Sequence, residues 1–494
     1  MSDKAGSYED ASRSAGSVGV LGGGPAGLTA AYELQRIGAA AKLTVFEGSD
    51  LVGGISRTES HRGFRFDIGG HRFFTKVPQV TAMWEEVLGE EFITVERLSR
   101  IYYRGRYYNY PLSFTNALGN LGVYESLRIM GSYAKWRLFP RREEHSFEDW
   151  VINRFGGRLY AHFFESYTRK VWGISPREIR ADWAAQRIKD LSLYGAVRQA
   201  LTGRGNAVSL IERFRYPRLG PGMMWEMTKD RLEENGAEVA MRHRVERVAW
   251  DGDRVTAIDT RGPDGAVRTD EPDHVISTLA IRDLIEIMDP APPAEIVEAA
   301  QKLRYRDFLI VTLVLDHADP FPDNWIYVHD PNVRVGRIQN FRAWSKDMVP
   351  EENRASIGME YFCNEDEEIW TMDDADLRDL AARELERLGL APASSVVDHA
   401  VIRQLKAYPV YDGDYQEALE TVRGWLETLT NFQTVGRNGL HRYNNQDHSM
   451  LTAMLAARNL AGENHDVWTV NVDRAYHEEF VVDRDGQQAE KQVA

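Results

Sequence analysis

A chain of 494 residues is too long for one small core, so two or three domains are expected, and 43% hydrophobic with 11% aromatic residues excludes a disordered chain. A formal charge of −15 argues against nucleic acid and anionic membrane as partners. Cys363 is the only cysteine, which excludes an intrachain disulfide and gives no reason to expect a metal. No apolar run reaches membrane-spanning length, and residues 1–17 lack an apolar leader core, so a cytoplasmic location is expected.

In chain order, residues 1–16 and 481–494 predict disordered tails. Val18-Gly19-Val20-Leu21 reads as a buried strand and Leu28 to Leu34 as a helix, with Gly22-Gly23-Gly24-Pro25-Ala26-Gly27 between them. The spacing Gly22-x-Gly24-x-x-Gly27 brings backbone N–H groups and a helix N-terminus against a pyrophosphate. Lys42 to Phe46 form a second strand ending in Glu47, twenty residues past Gly27, where a carboxylate accepts the hydroxyls of an adenosine ribose. Helical periodicity runs from about 117 to 213, and Gly203-Arg204-Gly205-Asn206 predicts a mobile loop. Helix then strand follow over 223–248, and Asp251-Gly252-Asp253 turns into Val255 to Ile258. His274 to Thr278 reads as the last strand of the nucleotide-binding sheet. Strands follow at 308–315 and 355–362, and helices at 375–388 and 449–459.

The fold class expected is α/β: a discontinuous Rossmann-like domain built from 17–75, 216–290 and 430–480. It is interrupted by a helical domain, 113–215, and an antiparallel β-sheet domain, 76–112 plus 291–429. A discontinuous domain suits FAD better than NAD.

Further motifs recur in a fixed order. Gly53-Gly54 follows Glu47, and Asp67-Ile68-Gly69-Gly70-His71 follows that. The order resembles the amine-oxidase-like FAD superfamily, which includes protoporphyrinogen oxidase and UDP-galactopyranose mutase. Gly69-Gly70-His71 is similar to the mutases' histidine loop, which lies on one face of the isoalloxazine. Tyr108-Asn109-Tyr110-Pro111 resembles their Asn-x-Pro segment, which implies that Asn109 touches substrate. Tyr167-Thr168-Arg169-Lys170-Val171-Trp172-Gly173 is similar to the mutase Tyr-Thr-x-Lys-x-Trp-Gly helix end, whose Tyr and Trp line the nucleobase pocket. Gly336-Arg337, Glu360-Tyr361, Tyr408-Pro409-Val410-Tyr411-Asp412 and Gly436-Arg437 with Arg442-Tyr443 also have mutase counterparts.

The resemblance implies a nucleotide-sugar mutase that interconverts pyranose and furanose forms of an NDP-hexose. There the reduced flavin N5 attacks the anomeric carbon and forms an N5–sugar adduct while the nucleoside diphosphate leaves. It implies catalytic roles for His71, Arg337, Arg437, Tyr361 and Tyr443. Substrate contacts fall to Asn109, Tyr167, Trp172, Arg337, Tyr361, Tyr408 and Tyr443. FAD contacts fall to Gly22, Gly24, Pro25, Ala26, Gly27, Glu47, Gly53, Gly54, Gly69, Gly70, His71, Val245, Arg437, Asn445 and Gln446. The implied substrate is UDP-, TDP- or GDP-linked. FAD would work reduced, with an external reductant such as NAD(P)H, and a homodimer is compatible with the chain.

The residues alone support part of this. Each partly desolvated Arg–phosphate contact contributes roughly 1.5–3 kcal/mol, so paired arginines suit a diphosphate. Tyr167 and Trp172 are five apart and do not share an ideal helix face, but a helix ending at Gly173 lets them meet around a base. Plain alternatives stand beside each reading: surface ion pairs for the arginines, core packing for the aromatics, and simple capping for Asn445. The chain departs from the mutases at Asn445, where an aspartate is usual, at Leu191, where a mobile-loop arginine is usual, and at Phe74, where a second histidine is common. An FAD-dependent oxidoreductase of amine oxidase, porphyrinogen oxidase or desaturase type shares the N-terminal motifs and is the competing function.

Overall fold

The computed structural model describes residues 15–110, 114–181 and 213–471. They form two compact units, one from residues 15–54, 225–300 and 421–470, the other from residues 55–110, 114–181, 213–224, 301–420 and Asn471. The expected loop at 203–206, Leu191, Pro111 and the C-terminal tail lie outside the described residues.

The first unit is built on a parallel sheet of five strands in the order Phe432–Thr434, His274–Ser277, Ala15–Leu21, Ala40–Glu47 and Glu238–Met241. Ala15–Leu21 is central, with Val18, Val20 and Leu21 buried, as a parallel strand covered on both faces requires. It begins at Ala15, two residues inside the stretch expected to be a tail, because Ser17 N–H donates to Asp273 at 2.7 Å. His274–Ser277 is not the final strand, since Phe432–Thr434 pairs outside it. At three residues, that edge strand is too short to leave a periodic pattern.

Helix Pro25–Arg36 starts on a proline whose missing N–H costs nothing at this position, and it buries every residue from Ala26 to Leu34. It packs against helix Gln446–Leu460. Arg458 and Arg36 both meet the buried Glu33 carboxylate at 2.8 Å. A meander of Arg244–Asp251, Arg254–Arg261 and Val267–Asp270 completes the unit, with Gly252 at φ +62° in the predicted turn.

The second unit carries a seven-stranded sheet. Its order is Val396–Pro409, Tyr305–Leu315, Ala355–Cys363, Arg337–Asn340, Trp325–Val328, Ser99–Tyr103 and Arg106–Asn109. All pairs are antiparallel except Trp325–Val328 with Ser99–Tyr103. One face packs Leu309, Val311, Ile357 and Met359 under Leu377, Ala381 and Leu385 of helix Asp374–Arg387. Alternation does the sorting, because residues i and i+2 share a face.

The helical stretch expected as its own domain belongs to this same unit. Its helices include Val123–Leu138, Phe147–Phe155, Gly157–Phe163 and Glu165–Trp172. The last of them is hydrogen-bonded directly to the chain beyond Trp325–Val328. Phe147–Phe155 opens on a reciprocal capping box between Ser146 and Asp149. Strand Arg213–Pro217 returns to pair with Phe92–Glu96.

Candidate active site

In the first unit the glycine turn is held by close approach. Gly22, at φ +102°, donates its N–H to Phe46 O at 2.8 Å, and a Cβ there would lie 2.2 Å from Thr278 Oγ1. A Cβ on Gly27 would lie 1.8 Å from Gly22 O, so only glycine lets this helix sit against this turn. Gly24 is different. Its φ is −78°, and an added Cβ would meet nothing nearer than Gly54 Cα at 3.8 Å. No contact within the first unit demands glycine there, and the space beside it would admit a pyrophosphate.

Glu47 is tied into the same turn. Oε2 accepts Gly23 N–H at 2.7 Å, and Oε1 accepts Ser49 N–H and Oγ–H, each at 2.8 Å. Gly53, at φ +102°, donates to Gly23 O at 2.9 Å, and Gly54 is at φ +53°. Val245 lies two residues beyond His243, whose N–H donates to Glu47 O at 2.8 Å.

The 436–446 segment lies on the first turn of helix Pro25–Arg36. A Cβ on Gly436 would come 2.9 Å from Ala26 Cβ. Arg437 Nη1 donates to Asn444 O at 3.0 Å, and its guanidinium stands 4.2 Å from the Tyr443 ring centroid. Asn445 occupies the N-cap of Gln446–Leu460, yet its side chain makes no capping bond. Gln446 Oε1 is buried and has no hydrogen-bond partner among the described residues. An unsatisfied polar group beside a positive helix end awaits a polar ligand. These residues fit FAD: Gly22 to Gly27 for the pyrophosphate, Glu47 for the ribose, and the start of Gln446–Leu460 for a polar ring edge.

In the second unit the expected histidine loop is a tight turn. A Cβ on Gly70 would fall 1.8 Å from Trp325 Cζ3, and His71 Nε2 donates to Ile68 O at 2.8 Å. The turn is anchored from Asp67, which is fully buried and accepts hydroxyl bonds from Tyr216 and, at 2.9 Å, from Thr58. Burial without a cation pushes the Asp67 carboxyl up to about 7, against the pull of those two hydroxyls.

Arg337 sits in an aromatic wall. Its guanidinium is 4.7 Å from the Phe362 ring centroid, 5.5 Å from Trp325 and 5.9 Å from Tyr408. Gly336 makes room for this, because a Cβ there would lie 2.6 Å from Phe362 Cε2. Nη2 donates to Tyr408 Oη at 2.5 Å, and Nε forms an ion pair with Glu360 at 2.8 Å. Glu360 is fully buried and also accepts from Gln339 at 2.8 Å. Burial raises its carboxyl above the ordinary range while Arg337 and Gln339 pull it back.

The wall continues on both sides of Arg337. Tyr327 stacks on Trp325 at 5.3 Å and on Tyr110 at 4.3 Å. Helix Glu165–Trp172 ends on Gly173 at φ +67° and delivers two aromatics to this face. Tyr167 stacks on His329 at 4.4 Å and meets Tyr327 edge-on at 5.9 Å, while Trp172 packs at 6.2 Å from Tyr408 and 6.4 Å from Tyr411. Tyr167, Trp172, Arg337 and Tyr408 are therefore brought together. Asn109 is exposed at the end of the outermost strand, next to Tyr110.

Tyr361 is not part of this group. Glu360 is in register with Arg337, so Tyr361 faces the other side, in the core with Leu309 and Leu377. Tyr361 and Arg337 therefore stand on opposite faces of the sheet. Tyr361 helps line a cavity of about 740 Å³ with Arg169, Lys170, Arg306 and Glu367, where Arg306 and Glu367 form an ion pair.

Sequence reading missed Trp325, Tyr327 and His329, although Trp-x-Tyr-x-His carries the two-residue period of a strand face. It also passed over Tyr216, whose partner Asp67 is 149 positions away. Among the described residues no group of His, Cys, Asp and Glu is arranged to hold a metal, and no helix is long and apolar enough to cross a membrane.

A parallel sheet with a glycine turn closed by an acid, and a second unit with an aromatic-walled antiparallel sheet, define a flavin-dependent enzyme whose cofactor is FAD. The chain belongs to the family of flavin containing amine oxidoreductases, which it matches over residues 25–449. It is similar to coproporphyrinogen III oxidase of Mycobacterium tuberculosis (strain ATCC 25618 / H37Rv), 28% identical over 207 residues. That match covers 38% of this chain and 46%, about half, of the relative's length. The same enzyme of Mycobacterium leprae is 26% identical over 326 residues, 62% of this chain and 68% of that one. Among solved structures, reduced UDP-galactopyranose mutase superposes with a TM-score of 0.80 at 21% identity, covering 93% of this chain and 98% of that one. Putrescine oxidase bound to putrescine gives 0.59 at 15%, covering 91% and 99%. At these identities the structural likenesses show the fold.

Proposed function

We propose that this protein is a nucleotide-sugar mutase acting on a UDP-, TDP- or GDP-linked hexose. The observation that carries the reading is Arg337 set among Trp325, Phe362 and Tyr408, with Tyr167 and Trp172 brought to the same sheet face by one helix end. A cation for phosphate beside flat rings for a base is a nucleotide-binding arrangement. The fold likeness to reduced UDP-galactopyranose mutase supports the same direction. When bound and reduced, FAD would supply a nucleophile for the anomeric carbon, with an external reductant such as NAD(P)H as the source of its electrons.

The chain's own residues do the rest. Tyr167 and Trp172 hold the base. Arg337, with its Nη2 steadied by Tyr408, binds a phosphate oxygen and stabilises the charge that grows as the diphosphate departs. Arg437 and Tyr443, already packed on one another, are assigned to the diphosphate as well. His71 is assigned to the flavin face and Asn109 to the substrate. Tyr361 is left out. A cytoplasmic site of action is part of the proposal.

One observation favours an oxidoreductase as the second reading. The Arg337 charge is met by Glu360 at 2.8 Å, so the wall is close to neutral and accepts an apolar substrate more readily than a free arginine would. The relatives named as coproporphyrinogen III oxidases agree with it. Dithionite-reduced protein incubated with a panel of UDP-, TDP- and GDP-hexoses separates the two. The mutase reading predicts a furanose product on chromatography with no net oxidation; turnover with stoichiometric oxygen uptake and no furanose supports the oxidase.

A further inference from the structure

Lys170 lies within the same helix end, three residues after Tyr167, and is half-buried. Nζ donates to three backbone carbonyls: Asp330 O at 2.6 Å, Val335 O at 3.1 Å and Val328 O at 3.3 Å. All three belong to one loop, which leaves strand Trp325–Val328 and returns as Arg337–Asn340. Three donors meet three acceptors, from both the entry and the exit of the loop. One turn earlier, Ser166 Oγ donates to His329 O at 2.8 Å. His329 is the residue on which Tyr167 stacks, and Arg337 follows the loop directly. The loop is fastened from its other side too, since Glu384 accepts Arg334 N–H at 2.5 Å and Val335 N–H at 2.9 Å.

The geometry points to Lys170 as a positioning residue that, with Ser166, fastens the 328–335 loop beneath Tyr167 and so sets where His329 and Arg337 stand for nucleotide binding. The fastening is independent of the enzyme's reaction; its consequence for nucleotide affinity rests on the mutase reading. A Lys at this place does what no neutral residue can. Carbonyl oxygens from both ends of a loop repel one another, and a single ammonium bridges them.

The groups around Lys170 leave its proton weakly held. Burial lowers the ammonium to about 8, opposed by Glu384 and Asp330. His329 is kept neutral, near 3, by burial and by Lys170 itself. Glu165, Arg169, Arg306, Arg334, Glu367 and Glu368 line the adjoining cavity, where Arg306 pairs with Glu367 and Arg334 with Glu368. When Lys170 loses its proton, one carbonyl faces a nitrogen lone pair and the loop loosens. Nucleotide affinity therefore falls above about pH 8 in the wild type.

The test compares FAD-loaded wild type, Lys170→Met and the milder Ser166→Ala. Amide hydrogen exchange over 328–337 should quicken about tenfold or more in Lys170→Met and less in Ser166→Ala. UDP, TDP and GDP titrations should show weaker binding of whichever nucleotide the wild type takes, and the fall above pH 8 should vanish in Lys170→Met. Unchanged exchange in both variants overturns the fastening. Faster exchange with unchanged nucleotide affinity overturns the positioning role. A wild type that binds none of the three nucleotides overturns the mutase reading, while the exchange result still decides the fastening. If Lys170→Met does not fold, Ser166→Ala, which loses one hydrogen bond, carries the exchange comparison alone.

Discussion

Gly24→Ala separates a glycine required by a ligand from a glycine required by the fold. The added methyl meets only Gly54, at 3.8 Å from Cα and 3.9 Å from N, ordinary contacts, and the backbone at φ −78° and ψ −175° is extended and open to any residue. Replacing glycine at such a position typically stabilises by about 0.4–1 kcal/mol through the unfolded chain. The apoprotein should therefore melt at the wild-type temperature or slightly above. FAD should bind differently. A methyl in the path of the pyrophosphate removes at least one charge-assisted hydrogen bond of about 1.5–3 kcal/mol, which is roughly a 10- to 150-fold loss of affinity. Quenching of flavin fluorescence during titration of the apoprotein measures it, beside a thermal melt of the same sample. Gly27→Ala is the contrast. Its Cβ would stand 1.8 Å from Gly22 O, so fold and FAD affinity should fall together, with a stability cost of about 1–3 kcal/mol or more. Wild-type FAD affinity in Gly24→Ala would refute the assignment of this turn to the pyrophosphate.

Three further outcomes are expected. Glu360→Gln removes the charge 2.8 Å from Arg337 and keeps a partner for Gln339; nucleoside diphosphate affinity should rise about three- to tenfold with a steeper salt dependence, and an unchanged salt slope would argue that Arg337 does not meet phosphate. Asp67 has its carboxyl raised from 3.8 to about 7, so the native state holds that proton more tightly than the unfolded chain does. The stability this provides is complete below about pH 4 and is lost as pH rises through 7, on the order of 4 kcal/mol at most. Denaturant melts of Asp67→Asn against wild type from pH 4 to 8 should therefore show a stability deficit that narrows or reverses as pH rises, and a constant difference would contradict the buried, uncompensated acid. Gly70→Ala places a methyl 1.8 Å from Trp325 and should lower stability by about 1–3 kcal/mol with a shift in tryptophan emission; an unperturbed spectrum and melt would mean the turn relaxes freely.

The nucleotide turn was readable because its requirements are local. Gly27 on Gly22 O, Gly22 N–H on Phe46 O and Glu47 on Gly23 N–H are contacts within one strand–turn–helix–strand run, and their spacing encodes that geometry. The helix end at Trp172 was equally readable, since Gly173 supplies the left-handed residue that stops it. Tyr361 shows the limit. The pair Glu360-Tyr361 sits in a strand buried on both faces, where neighbouring residues look alike in hydrophobicity and only register with Arg337 assigns the face. The partnership of Arg337 with Glu360 and Tyr408 is invisible for a related reason: it spans three strands, and the earlier strand Tyr305–Leu315 lies between the two that carry Glu360 and Tyr408. Tyr216 reaches Asp67 from strand Arg213–Pro217, whose pairing with Phe92–Glu96 no local pattern announces. Lys170 was quoted as part of a motif, but its three carbonyl partners carry no side-chain signature at all.

The most direct test of the central claim is turnover by dithionite-reduced, FAD-loaded protein on a matched panel of UDP-, TDP- and GDP-hexoses, resolved chromatographically with oxygen uptake followed in parallel. The account predicts interconversion of pyranose and furanose forms of at least one nucleotide sugar, abolished when the flavin is oxidised and accompanied by no net oxygen consumption. Absence of any furanose product across the panel, together with oxygen-coupled oxidation of a porphyrinogen or amine, would contradict it.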